Sequence, residues 1–379
     1  MAGGEQLSSQ TPKVQGDSRP LVVHLLPFDL PRGAQTYARA IRDRLDGPRA
    51  QHSVMTLFGS EGAAGSDIAL NAPRGPGPLR LFDPRAALAL RRALRRLDPE
   101  VLVAHGGEPL KYAAVAAPRT TKLAYLKIGT AQVQLRSNVR RFVYTSLLKR
   151  FDVVAGVSHE MVTEAEELLG VPPDRTAYVP NGRDPARFRP AEHGAHRPVQ
   201  FCFVGHLTRT KRPELFIEVV RHLREQGIDA AGTMAGSGPL ERSLALEAGD
   251  VLVEMLGVRD DVPDVLARSD VFVFTSIVEG EGMPGVLIEA GLAGLPTVST
   301  DVPGAHDVIQ DGVTGLVVPV DDFTALSAAA MQLATSPELR AQMGSAARKR
   351  CLEHFTLDAS ASKLGGLLEP LLREPGVQP

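Results

Sequence analysis

The chain contains no tryptophan and only two cysteines, Cys202 and Cys351, in 379 residues. Two isolated thiols supply neither a disulfide framework nor a cysteine metal spacing, so a reducing cytoplasm is the expected compartment. No apolar run reaches about 18 residues and no signal peptide is read at the start, so no membrane span is expected. The missing tryptophan excludes no activity; beside abundant Ala, Arg, Gly and Pro it reads as base composition. Residues 1–19 are polar and read as a disordered tail. Charge of one sign is scarce only locally. Residues 20–190 hold 25 Lys and Arg against 16 Asp and Glu, a balance of +9, and residues 191–379 hold 15 against 26, a balance of −11. Either two surfaces attract each other across a cleft, or the first half meets an anionic acceptor or membrane.

What is present centres on residues 281–289, Glu-Gly-Met-Pro-Gly-Val-Leu-Ile-Glu. An apolar strand at 271–274 precedes it and an Ala/Gly-rich helix follows. Strand, glycine loop and helix N-terminus form a seat for a phosphate, with Pro284 suited to the first helical turn. Glu281 and Glu289 then face one ligand from two sides, and a phosphate carrying hydroxyl-rich groups, a nucleotide sugar, suits them.

The remaining chain alternates strands with helices. First-half strands are expected at 21–26, 54–57, 101–104, 123–126, 153–157 and 176–179, and 59–79 reads as a loop. Gly33 opens a strand–helix turn where a ligand approaches backbone. The 85–97 helix carries Leu90, Leu94 and Leu97 against Arg91, Arg92, Arg95 and Arg96, a solvated face or a contact with anionic lipid. Residues 138–150 form a basic, partly aromatic helix. His105 ends a strand, where ligands bind in α/β folds, although a structural role suits it equally. A linker at 193–198 precedes a second alternating series, with strands at 200–204, 230–234, 251–256, 271–274, 297–299 and 315–318. Two α/β domains are therefore expected, 20–190 and 198–355, each a doubly wound parallel sheet, with a last helix over 356–373.

The ordered motifs resemble the retaining glycosyltransferases of family 4, which have the GT-B fold. Those motifs are Gly205–Lys211, Gly236-Ser-Gly-Pro-Leu240, Gly257, Asp261-Val262, Ser269–Phe272, the glutamate pair, Asp311–Pro319, Arg32–Gln35, and Val179–Asp184 with Phe188. The resemblance covers about 21–373. It implies two Rossmann-like domains facing each other across a cleft, with a C-terminal helix crossing back to the first. It implies that Lys211, with Arg209, Gly205 and His206, holds a donor diphosphate, helped by Gly236 and Gly238 and by backbone N–H groups around Met283, Gly285 and Val286. Glu281 would face the sugar, Glu289 the ribose, and Leu256–Val258 the base. Catalytic candidates are Glu281, Lys211, His105 and Lys127. Arg32 and Gly33 would meet the acceptor. No cofactor or metal is implied, the donor being a co-substrate, most commonly of uridine diphosphate.

Three positions depart from the family. His206 stands where arginine is usual, Ile128 where a histidine is usual, and Arg32 where a first glycine is common. His105 would then substitute for the histidine, or Lys127 would contact the sugar or phosphate, and Arg32 would recognise an anionic acceptor. The expected reaction is transfer of a hexose or N-acetylhexosamine to a hydroxyl acceptor in glycan or glycolipid synthesis, in the cytoplasm at the inner membrane face. No nucleic-acid partner is expected. A small secondary metabolite is an alternative acceptor; a cationic one would seek acidic loops, for which Asp29 and Glu108 are the candidates. The alternatives of another class are a nucleotide-sugar epimerase, for which no acid/base set stands in the first half, and a scaffold that binds without turnover.

Overall fold

A computed structural model describes residues 19–29, 33–59, 65–77, 81–190, 198–249 and 251–373. Apart from Arg19, the expected tail lies outside the described residues, as do Arg32 and most of the expected linker. Continuous apolar runs mark strands buried on both faces, and they assemble into two sheets. The first holds β1 (Leu21–Phe28), β2 (Gln51–Phe58), β3 (Ile68–Ala69), β4 (Val101–His105), β5 (Lys122–Lys127), β6 (Val153–Gly156) and β7 (Thr176–Tyr178), in the order β3-β2-β1-β4-β5-β6-β7. The second holds β8 (Val199–Val204), β9 (Ala230–Ala235), β10 (Val253–Gly257), β11 (Val271–Phe274), β12 (Thr297–Thr300) and β13 (Gly315–Val318), in the order β10-β9-β8-β11-β12-β13. Neighbouring strands pair in parallel throughout.

Two differences from the sequence reading have physical causes. β3 falls inside the expected 59–79 loop; two residues are too short for a period. β2 begins at Gln51 rather than 54, because the polar His52 and Ser53 are buried in the sheet and break its apolar signature.

Helices α1 (Gly33–Leu45), α2 (Pro84–Leu97), α3 (Gly107–Ala116), α4 (Gln132–Leu135), α5 (Asn138–Leu148) and α6 (His159–Glu167) accompany the first sheet. α2 shows why they form where they do. Asp83 accepts from the Arg85 amide at 2.9 Å, Pro84 opens the helix, and Leu90, Leu94 and Leu97 are buried while the arginines face outward. Its apolar stripe is core, and Leu88 is the one leucine of the helix exposed among the arginines. Helices α7 (Pro213–Glu225), α8 (Glu241–Ala248), α9 (Val262–Ala267), α10 (Gly285–Leu292), α11 (Ala305–Val308), α12 (Phe323–Thr335) and α13 (Pro337–His354) accompany the second sheet.

α14 (Leu357–Leu368) returns to the first domain. Thr356 caps it, Tyr37 of α1 meets Ser360 at 2.6 Å, and Gly365 lies against Leu45. One apolar cluster consequently runs from Val22 and Ile41 through Leu357 and Leu364 to Leu287 and Phe272. Among the described residues no helix is long and apolar enough to cross a membrane.

Candidate active site

In each sheet the strand order reverses beside a central strand, between β1 and β4 and between β8 and β11. Ligands bind at the carboxyl ends of strands at such switch points. In the second domain the loops leaving β8 and β11 bring Lys211 and Glu281 together. Thr275 holds the carbonyls of Lys211 and Arg212 at 2.8 and 2.9 Å, and Arg212 takes a left-handed conformation (φ 46°) that turns the chain into α7. The Lys211 ammonium pairs with the buried Glu281 carboxylate and lies 5.3 Å from the centre of the Phe274 ring.

Beside this pair α10 begins. Pro284 is its N-cap and Gly285 its first residue, one position later than read from the sequence. The N–H groups of Met283, Gly285 and Val286 have no partner among the described residues, which leaves a positive helix end directed outward. Glu289, one turn inside, is bound by Arg183 of the first domain, Nε to Oε1 at 2.6 Å. The sequence reading left Glu289 open for a ribose and gave Arg183 no role. Arg183 was visible within the Asn-Gly-Arg-Asp stretch, but nothing in one sequence places it on Glu289.

Gly236 and Gly238 also carry a packing role. A Cβ on Gly236 would overlap the Gly205 carbonyl, and one on Gly238 the Leu207 carbonyl. The Gly205 N–H donates to Ala235 O at 3.0 Å and the Leu207 N–H to Ser237 O at 2.9 Å. These glycines let one loop lie on another, holding the Gly205–Lys211 loop in place. His206 and Arg209 are exposed on that loop. Leu256 lines a cavity of about 830 Å³ with Gln200, Thr233 and Glu254. Val258, just past Gly257, is 73 % exposed.

The first domain closes on these loops. The Thr130 amide donates to Glu281 O and Asn181 Nδ2 to Met283 O, both at 2.8 Å. A Cβ on Gly282 would overlap the Ile128 carbonyl. Ile128 rests on Gly106 at the end of β4, between His105 and the donor loop. His105, Lys127, Ile128, Gly129 and Glu108 line a cleft of about 460 Å³.

The two residues considered beside the missing histidine behave differently. Lys127 is buried, with Nζ 2.9 Å from Glu164 and donating to Gly129 O at 2.8 Å. Burial holds it below its ordinary pKa, opposed by the Glu164 charge. Its ammonium braces the 128–130 loop and is not available to a sugar, which corrects its reading as catalytic. His105 is the last of three buried histidines: His24 Nδ1 lies 2.9 Å from His105 Nε2, and His24 Nε2 lies 3.0 Å from His52 Nδ1. Burial lowers His52 and His105 to about 4 and His24 well below its usual value. A neutral His105 therefore lines the cleft. His24 and His52 were missed because nothing in the spacing joins three strands.

Gly33 begins α1 on the surface, and a Cβ there would meet no described atom within 4 Å. Asp29 is buried and bound by Arg39 at 2.8 Å and by two amides, and Glu108 is paired with Arg74 at 3.0 Å. Both carboxylates considered for a cationic acceptor are already neutralised. Among the described residues no group of three or more His, Cys, Asp or Glu is placed to hold a metal ion.

Two Rossmann-like domains, with a lysine–glutamate pair and an open helix N-terminus where they meet, define a nucleotide-sugar glycosyltransferase of the GT-B fold. Residues 31–187 match the family described as Glycosyltransferase Family 4, and 186–350 match Glycosyl transferases group 1. The chain is 30 % identical to the Escherichia coli protein described for colanic acid biosynthesis, WcaL, over 72 % of this chain and 71 % of that one. It is 28 % identical to the GDP-mannose-dependent phosphatidylinositol monomannoside mannosyltransferase of Mycobacterium tuberculosis, over 89 % and 94 %. It is 29 % identical to the N-acetylglucosaminyl malate synthase of Bacillus anthracis, over 60 % and 62 %. The fold is similar to that of Anabaena HepE, solved with UDP and glucose (TM-score 0.75, 18 % identity, 93 % of this chain and all of that one). It also resembles sucrose-phosphate synthase from Thermosynechococcus elongatus (TM-score 0.80, 18 % identity, 93 % and 99 %). The chain belongs to the family 4 glycosyltransferases.

Proposed function

We propose that the chain is a retaining, metal-independent hexosyltransferase. It moves a hexose or N-acetylhexosamine from UDP to a hydroxyl of an anionic, lipid-linked or cell-surface glycan precursor at the cytoplasmic face of a membrane. The observation that carries this reading is the convergence of Lys211, its partner Glu281 and the unpaired N–H groups of α10. As the bond from the sugar's anomeric carbon to the diphosphate breaks, negative charge grows on the leaving oxygen. A lysine and a helix end fixed beside it supply the stabilisation a divalent cation gives in other transferases. The acceptor oxygen bonds to the anomeric carbon on the face being vacated, and the acceptor proton passes to the departing phosphate oxygen. Glu281 orients the sugar. The neutralised Asp29 and Glu108 favour an anionic over a cationic acceptor.

GDP is the second reading for the nucleotide, favoured by the mannosyltransferase relative aligned over 89 % of this chain. Calorimetric titration of the purified protein with UDP and with GDP tests both. One of them binds, Lys211→Ala weakens it roughly tenfold or more, and turnover of the matching sugar nucleotide persists in EDTA. Binding of neither by the wild type would sink the transferase reading. Binding without nucleotide release in the presence of lipid-linked acceptors would favour the scaffold.

A further inference from the structure

We propose that Arg183, carried by the first domain, is a donor-binding residue: its Nε fixes Glu289 for the ribose while its Nη2 end takes a phosphate oxygen of the diphosphate. This rests on the nucleotide-sugar reading and names a residue that the family motifs do not supply for that role. Three observations converge. Arg183 Nε lies 2.6 Å from Glu289 Oε1, leaving the second carboxylate oxygen for hydroxyl donors. Its Nη2 lies over Gly285, where a Cβ would overlap the guanidinium, beside the unpaired N–H groups of α10. Nη1 donates to Gly182 O at 3.0 Å, and Nη2 has no acceptor among the described residues. A guanidinium held through Nε and Nη1 and open at Nη2, at a positive helix end, fits a phosphate oxygen.

The backbone explains how the side chain is held. Arg183 N donates to Phe355 O at 3.0 Å and Leu357 N to Arg183 O at 2.8 Å, a short bridge where α13 passes into α14. A Cβ on Gly182 would meet the Thr356 and Leu357 backbone, so only glycine permits this approach. The guanidinium is thus delivered from the crossover between domains. It also answers a departure in the sequence: the diphosphate loop carries the exposed His206 where an arginine is usual, and Arg183 brings the absent guanidinium from the opposite side. Because the residue belongs to the first domain, donor affinity depends on the two domains being together.

The test titrates the full chain with UDP, GDP, uridine and guanosine, comparing wild type with Arg183→Ala, Arg183→Lys and Lys211→Ala, each checked by thermal unfolding. Charged hydrogen bonds of this kind set the expected loss for Arg183→Ala at roughly 10–100-fold on the nucleoside diphosphate. The matching nucleoside should lose clearly less, because it forfeits only the positioning of Glu289 and has no phosphate for Nη2 to hold. Arg183→Lys should recover part of the diphosphate affinity, and it supplies the answer if the alanine variant does not fold. Equal losses for nucleoside and diphosphate, or none, overturn the phosphate role and leave Arg183 a strut between domains. If Lys211→Ala loses the diphosphate while Arg183→Ala and Arg183→Lys do not, this inference falls and the transferase reading stands. If the wild type binds no diphosphate, both fall.

Discussion

The amide of Thr130 donates to the carbonyl of Glu281 at 2.8 Å, so a backbone bond from the first domain holds the loop whose side chain pairs with Lys211. Main chain thus joins the two domains at the Lys211–Glu281 pair itself.

Gly282 is the residue that lets the two loops touch. Its Cα faces the Ile128 carbonyl too closely for any side chain. Gly282→Ala should push the 128–130 loop off the donor loop. The expected result is kcat lowered by about tenfold or more, the order of loss that small misplacements of reacting groups produce. Tm should move little, since the contact lies at the cleft and not in either core. Wild-type kcat in this variant would show that the loops separate freely during turnover.

Lys127 and Glu164 are a buried ion pair, and Glu164 also accepts from Thr130 Oγ1 at 2.7 Å and Ala131 N at 2.9 Å. Removing one charge strands the other, at a cost of about 3–5 kcal/mol. Glu164→Ala and Lys127→Met should each lower urea stability strongly, and the double substitution should cost less than the two losses added. Additive losses would mean the two groups act independently.

The three histidines predict a pH dependence. An unfolded histidine titrates near 6.5, whereas burial holds His52 and His105 at about 4 and His24 lower than usual. Between about pH 6.5 and 4 the unfolded chain therefore binds protons that the folded chain does not. Stability is full above about 6.5 and is lost as pH falls through that window. Denaturant melts from pH 8 to 4 measure it, and His52→Gln should flatten the slope. A slope unchanged by that substitution would exclude the cluster as its origin.

Helix α5 exposes Val139 and Phe142, each 73 % exposed, beside Val143, with Arg136, Arg140 and Arg141 close by in sequence. Apolar groups ringed by arginine suit an anionic bilayer. Vesicles rich in phosphatidylglycerol should sediment the wild type. Val139→Ser with Phe142→Ser should weaken that binding roughly tenfold or more, from the apolar burial lost. Equal binding by the variant would move the membrane contact elsewhere.

The architecture was readable because the second-half strands are apolar runs and the loops between them carry glycines at fixed places. Glu281 stood out by its place in the glycine loop, and Lys211 through the family resemblance, but their ion pair was not legible in the sequence. What escaped was pairwise. Lys127 looked like a cleft residue because it follows an apolar strand; only the buried Glu164, on a helix more than thirty residues later, turns its ammonium inward. Gly236 and Gly238 looked like ligand-facing glycines, and the glycine signature is the same when the close neighbour is the protein's own backbone. Arg183 and the His24–His52–His105 chain require partners from separate strands or domains, and no local period encodes those.

The crossing of α14 has a consequence for how the protein is made. Synthesis runs from the amino terminus, so the first sheet and α1 emerge early, but the helix that covers Tyr37 and Ile41 is translated only after every strand of both sheets. The first domain, begun before the second, is completed after it. Until residues 357–368 leave the ribosome, its apolar flank is bare, and a chain interrupted before them has two sheets and an open seam.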